Sequence, residues 1–194
     1  QRERLRREVE RGTDALVLAP VDPADLGAEW ETLTRGTPTV TLESELPEAV
    51  ALITPDNEAL GWALARRALE EYRGGTVLLL DCLPENTGVQ ARVEAAEAAL
   101  IRGGATVLRW SETGEEELIR LDEEGALAQV VALEIGATEA AAQAKERAGS
   151  SAALYGVGVT SRIAAWLERG TISAVAAWSE YAAGYLAVQQ AAGA

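Results

Sequence analysis

Histidine is absent from the 194 residues, and cysteine occurs once, as Cys82. Without imidazole there is no ordinary proton relay near neutral pH and no His-based metal site. A lone cysteine leaves no intrachain disulfide and no Cys–His pair for nucleophilic catalysis. Catalysis could rest only on carboxylates, hydroxyls, Tyr, Arg, Lys145 or a cofactor, and no motif calls for a cofactor or a metal. Positive charge is also scarce: 17 Lys and Arg face 31 Asp and Glu, for a net charge of −14. That balance argues against a nucleic-acid partner, since such proteins present basic stripes to the phosphate backbone. No run approaches about 18 apolar residues, so no direct membrane insertion is expected. Nothing has the pattern of a signal peptide either, which a mature secreted protein would lack in any case.

What is present is a regular alternation of apolar runs and amphipathic stretches, and 48% hydrophobic residues suffice for one large or two small domains. The stretch Thr13–Leu26 sets the pattern. Leu16-Val17-Leu18-Ala19 reads as a strand covered on both faces. Pro20 and Pro23 stop it, and Asp22 followed by Pro23 reads as a helix N-cap with proline at the first helical position. The C-terminal end of such a strand is where ligands bind in open α/β sheets.

Around this stretch the spacing predicts a helix over Gln1–Gly12 and one from about Ala24 to Arg35. Strands follow at Thr39–Leu42 and Ala51–Ile53, then a helix over Glu58–Tyr72 with Trp62, Ala65, Leu69 and Tyr72 on one stripe. Val77–Leu80 is the strongest buried-strand signal, and Thr87–Arg102 repeats Val89, Val93, Ala96 and Leu100. Beyond it come a strand at Thr106–Trp110, an acidic helix over Glu115–Ala128, and a strand at Val130–Leu133. Thr138–Arg147 is helical, Ala152–Val157 a strand, Ser161–Arg169 a helix, Ile172–Ala177 a strand and Glu180–Gln190 the last helix. Strand–helix alternation from end to end means a doubly wound parallel α/β architecture. Glu115–Glu117 and Asp122–Glu124 read as a solvated helix face, and Cys82 as an inert residue of middling burial.

In this order the chain resembles the type 1 periplasmic binding proteins, in their ribose- and galactose-binding branch. The carrying residues are Arg11–Pro23 (R-G-T-D-A-L-V-L-A-P-V-D-P), Thr37–Glu43, Asp56-Asn57 before a helix, Leu167–Ala174 and Tyr181–Val188. The resemblance implies two flavodoxin-like lobes joined by crossing strands: lobe 1 over 1–54 and 179–194, lobe 2 over 55–178. The crossings would be at Pro55 and Trp178, which would serve as hinge residues. Relatives open with a strand–helix–strand unit that has no counterpart here, so the expectation is that lobe 1 is incomplete. In the implied strand order 2-1-3-4-5, Leu16–Ala19 would then form an open apolar edge.

By the same resemblance the ligand-holding positions are Glu43, Arg92, Glu134, Gly158 and Trp178, where sugar binders commonly carry Asp, Arg, Asn, Asp and Gln. Only the arginine matches. Losing hydroxyl-binding partners weakens a polar site far more than poor fit weakens an apolar one, which argues against an ordinary pentose or hexose. The carboxylates of Glu43 and Glu134 with the Trp178 ring suit a cationic or aromatic ligand instead. Each residue also has a plain reading. Arg92 could pair with Glu85 or Glu94, Glu43 could be a surface carboxylate, and Trp178 could be core. Gly156-Val157-Gly158 lacks the third glycine of a dinucleotide loop.

The resemblance implies an extracytoplasmic, periplasmic or membrane-attached solute-binding protein that hands a small polar ligand to the membrane permease of an ABC-type importer. The alternatives are a ligand-sensing domain of a regulator or receptor kinase with the same fold, with a sensor as partner, and, remotely, an enzyme using Glu43 and Glu134. The lac-repressor-type branch is disfavoured, because its usual glycine–histidine step cannot exist here.

Overall fold

The computed structural model describes residues 1–27, 29–111 and 114–194. The chain divides into two compact units: Gln1–Pro55, Glu85–Gly88 and Ser179–Ala194 form unit 1, and Asp56–Pro84 with Val89–Trp178 form unit 2. All strand pairs in both sheets are parallel, which places every strand's C-terminal end on one edge of its own sheet.

Unit 1 opens with helix α1 (Arg2–Glu10) and strand β1 (Leu16–Leu18). Two short helices, α2 (Pro23–Gly27) and α3 (Trp30–Thr34), lead to β2 (Thr39–Leu42) and β3 (Ala51–Ile53). The Asp22 carboxylate accepts the Asp25 N–H at 2.8 Å, so the expected cap forms and Pro23 takes the first helical position. The single helix expected from Ala24 to Arg35 is instead α2 and α3, because Glu29 has φ −123° and cannot continue a helix; Ala28, within that span, lies outside the described residues. The sheet order is β1-β2-β3, with β1 at the edge. The expectation that Leu16–Ala19 is covered on both faces is not met. Leu16 packs with Leu5, Leu26, Trp30, Leu33 and Leu46, whereas Val17, on the opposite side of the pleat, is 41% exposed.

Unit 2 begins with α4 (Asn57–Glu71) and continues through β4 (Thr76–Leu80), α5 (Thr87–Arg102), β5 (Thr106–Trp110), α6 (Glu115–Glu123) and β6 (Leu127–Ala132). It ends with α7 (Ile135–Ala148), β7 (Ala153–Val157), α8 (Ser161–Glu168) and β8 (Ala174–Ala176). The sheet order β5-β4-β6-β7-β8 is the doubly wound 2-1-3-4-5 arrangement. β4 shows why an unbroken apolar run marks its centre. Val77 and Leu79 pack towards α4 and α5, while Leu78 and Leu80 join the cluster with α6, α7 and α8. Each fully buried leucine contributes about 1.5–3 kcal/mol.

Three local expectations change in unit 2. Trp62 is 43% exposed, because the buried stripe of α4 is Gly61, Leu64, Ala65 and Ala68. Its ring instead receives the Arg66 guanidinium at 5.2 Å. Helix α6 stops at Glu123, since Gly125 turns the chain at φ +67°, and β6 starts earlier than expected. Nor is the acidic run wholly solvated: Glu117 is buried and bonded to Arg120, and Asp122 accepts the Ser150 hydroxyl at 2.6 Å. The chain closes with α9 (Glu180–Ala192), which belongs to unit 1 and packs against β1, β2 and β3.

Candidate functional site

Four of the five sequence-derived site residues fall in unit 2, at or beside the C-terminal ends of its strands. Arg92 is the centre of that group. It projects from the first half of α5 and is only 2% exposed. Its Nε donates to Asn57 Oδ1 at 2.5 Å, and one terminal nitrogen donates to the Leu133 carbonyl, just past β6, at 3.2 Å. The guanidinium carbon lies 4.5 Å from the centroid of the Trp178 ring. A planar cation thus uses its edge for hydrogen bonds and its face for a ring, which a lysine could not reproduce.

The sequence allows this because residue 61 is glycine. A Cβ there would sit 2.1 Å from the Arg92 carbonyl oxygen, so only glycine lets α4 and α5 come this close. The partners named above are remote in sequence, unlike Glu85 and Glu94, the carboxylates that proximity suggested.

Trp178 follows β8, is half-buried and packs against the cluster shared by α4, α5 and β4. Gly158 follows β7 at φ +107°, donates its N–H to the Ala176 carbonyl at 3.0 Å, and lies so close to Ile135 that a Cβ would approach it to 2.8 Å. Glycine is required at that position by backbone and packing alike.

Glu134 is the N-cap of α7: its carboxylate accepts the N–H groups of Gly136 and Ala137 at 2.7 and 2.8 Å. Glutamate is not among the favoured cap residues, so sequence carried no signal of this role. A Glu134→Ala substitution is expected to cost about 1 kcal/mol through the lost cap, with Glu134→Gln recovering part of it because its amide oxygen can still accept. Urea denaturation of the three proteins measures both.

Glu43 belongs to unit 1. It follows β2 with φ +68°, a left-handed conformation uncommon for a residue with a side chain, and its N–H donates to the Ile53 carbonyl at 3.1 Å. Backbone strain of this kind, costing roughly 1–3 kcal/mol, concentrates at ligand-contacting positions. Beside it Ser44 is fully buried, and its hydroxyl has no partner among the described residues. Pro55 lies between β3 and the Asp56 cap of α4, where the Asp56 carboxylate accepts the Ala59 N–H at 2.9 Å.

A second charged cluster, which sequence reasoning missed, sits at the end of β4. Asp81 accepts Arg109 Nε at 3.0 Å, a terminal Arg109 nitrogen at 2.7 Å and Gln90 Nε2 at 2.6 Å. Burial works to lower the Arg109 pKa, but hydrogen bonding to Asp81 and Glu97 outweighs it and the guanidinium ends up raised. Next to it Cys82 is half-buried; burial first, then the carboxylates of Glu134 and Asp81, push its thiol up to about 11. At neutral pH it is protonated and a poor nucleophile. Among the described residues no three Cys, Asp or Glu side chains come together as a cation site.

Comparison with known proteins agrees with this architecture. A family model described as periplasmic binding protein domain matches residues 1–194. No curated protein matches. Among solved structures, the periplasmic component of an ABC-type sugar transport system from Hahella chejuensis is 23% identical, with TM-score 0.85 over 98% of this chain and 75% of its own. An ABC transporter solute binding protein from Agrobacterium vitis, bound with alpha-D-tagatopyranose, is 19% identical, with TM-score 0.89 over 99% and 72%. A glucose-galactose binding protein from Geobacillus stearothermophilus is 19% identical, with TM-score 0.85 over 98% and 73%.

Proposed function

The chain belongs to the periplasmic binding protein domain family, and from that membership we propose that it captures a small, polar, sugar-like ligand for the permease of an ABC-type importer. The family is one of extracytoplasmic substrate-binding proteins rather than enzymes. Among the described residues no helix is long and apolar enough to cross a membrane.

The proposed lobes are 1–54 with 179–194, and 55–178, with Pro55 and Trp178 as the hinge residues. Glu43, Arg92, Glu134, Gly158 and Trp178 line the site. The observation that carries this reading is the buried Arg92 stacked on Trp178 at the C-terminal edge of the unit 2 sheet. Closure around such groups removes water and strengthens each hydrogen bond made to the ligand. A carboxylate only accepts and a guanidinium only donates, so together they select groups that do both, hydroxyls foremost. On the carboxylate side an amino group would serve equally well, which keeps amino-substituted ligands within the same chemistry.

Thermal-shift and calorimetric titrations with a panel of pentoses, hexoses, amino sugars and simple amines test the reading. A ligand at a hundredfold excess over its Kd stabilises the folded state by about 2.7 kcal/mol. The expected result is binding of one or a few sugars or amino sugars, accompanied by a tryptophan fluorescence change that Trp178→Phe abolishes. If simple amines alone bind, or if no compound of the panel does, the sugar-receptor reading is withdrawn.

A further inference from the structure

We propose that Arg92 pins the first entry of the chain into unit 2 and its last exit from it, so that these two crossings move as one rather than independently. The inference rests on reading the crossings as a hinge. It adds a coupling between them that the binding proposal does not require.

The chain first enters unit 2 at Asp56 and finally leaves it at Trp178, with the four residues Glu85–Gly88 between them assigned to unit 1. One residue past the entry, Asn57 is buried and accepts from Arg92 Nε at 2.5 Å. At the exit, Trp178 takes the guanidinium face at 4.5 Å. The Leu133 carbonyl, bonded at 3.2 Å, ties the same guanidinium to the end of β6 in the middle of the sheet. One rigid, planar side chain therefore grips the entry and the exit and is itself fixed to the sheet.

These contacts are not equivalent. The Asn57 bond is charge-assisted, and a cation over an indole in a desolvated place is among the stronger contacts of its kind. The guanidinium reaches both because its hydrogen bonds lie in its plane and its stacking lies perpendicular to it. An ammonium at the same place is a point charge on a flexible stem and could hold one partner or the other. A hinge rotates through backbone dihedrals at a few residues. With Asn57 and Trp178 held by one group, loosening one crossing shifts the guanidinium and weakens its grip on the other.

Hydrogen exchange of the ligand-free protein tests this without any ligand, so a failure to bind sugar leaves the test intact. Local opening is read separately for each segment. The reporters at the entry are the Ala59 and Leu60 amides, bonded to the Asp56 side chain and carbonyl. At the exit they are Gly158, bonded to the Ala176 carbonyl, and Ala182, bonded to the Ser179 hydroxyl. Arg92→Lys is expected to speed exchange at entry and exit together by roughly tenfold, the factor equivalent to about 1.4 kcal/mol of lost contact, while central β4 amides stay near wild type. Trp178→Leu, which leaves Arg92 in place, is expected to speed exchange at Ala59 and Leu60 as well as at the exit. Trp178→Phe, which keeps a ring, restores both.

Purely local acceleration in Trp178→Leu overturns the proposal, as does even acceleration across β4 and β6 in Arg92→Lys. Should Arg92→Lys fail to fold, the Trp178 pair decides the matter alone.

Discussion

Gly61→Ala is expected to destabilise the protein by about 3 kcal/mol, against the usual trend for glycine in a helix. Replacing an interior helical glycine by alanine ordinarily gains close to 1 kcal/mol, because alanine has less backbone freedom to lose. Here the added Cβ would lie 2.1 Å from the Arg92 carbonyl oxygen, 2.9 Å from its carbonyl carbon and 3.0 Å from its Cα. All three are backbone atoms of α5, so no rotamer change relieves the overlap and the two helices must separate. Overpacking of a well-filled core costs typically 1–3 kcal/mol and occasionally more, and an overlap against backbone belongs at the upper end. For a chain of this size the midpoint of thermal unfolding should fall by roughly 6–12 °C. Gly184→Ala in α9 is the matched control. Nothing lies within 4 Å of the Cβ it would add, and it should be neutral or slightly stabilising. Equal midpoints for the two variants would mean that α4 and α5 do not meet as closely as the structure places them.

That glycine also marks the limit of what the sequence disclosed. The apolar period of α5 was legible, and Val89, Val93, Ala96 and Leu100 are all buried, because repeating apolar residues report directly on which face is covered. The strand Val77–Leu80 was legible for the same reason. Trp62 was misassigned because large apolar residues at helical spacing imitate a core stripe, whereas the true stripe of α4 runs through a glycine and two alanines, which weigh little on any hydropathy pattern. Arg92 was singled out by resemblance to a ligand-holding arginine, but its partners were not legible, since Asn57 lies 35 residues away. Contacts of that span are set by which strand ends share a sheet edge, and nothing local encodes them. Ser44, whose hydroxyl is buried beside the strained Glu43, gave no signal at all.

Asp81 carries the second large effect: Asp81→Ala is expected to cost about 3 kcal/mol. Its side chain is 5% exposed and accepts two hydrogen bonds from Arg109 and one from Gln90. Breaking a buried ion pair from one side costs roughly 3–5 kcal/mol, most of it the penalty for the charge left behind. The lower end applies, because the Arg109 side chain is 33% exposed and retains Glu97 at 3.2 Å and Gln90 Oε1 at 2.6 Å. If the cost lies in the orphaned cation, then removing it should recover part of the loss. Asp81→Ala combined with Arg109→Leu should therefore be more stable than Asp81→Ala alone, a non-additivity that a double-mutant cycle reads directly. Additive losses would show instead that Asp81 and Arg109 each stabilise the sheet edge through separate partners. The same variant reaches the neighbouring thiol. Loss of the Asp81 charge removes one of the three influences that hold Cys82 up at about 11, the least of them after burial and Glu134. The alkylation profile of Cys82 should accordingly move only slightly towards lower pH in Asp81→Ala, and a large move would mean that the carboxylate, rather than burial, governs the thiol at the rim of unit 2.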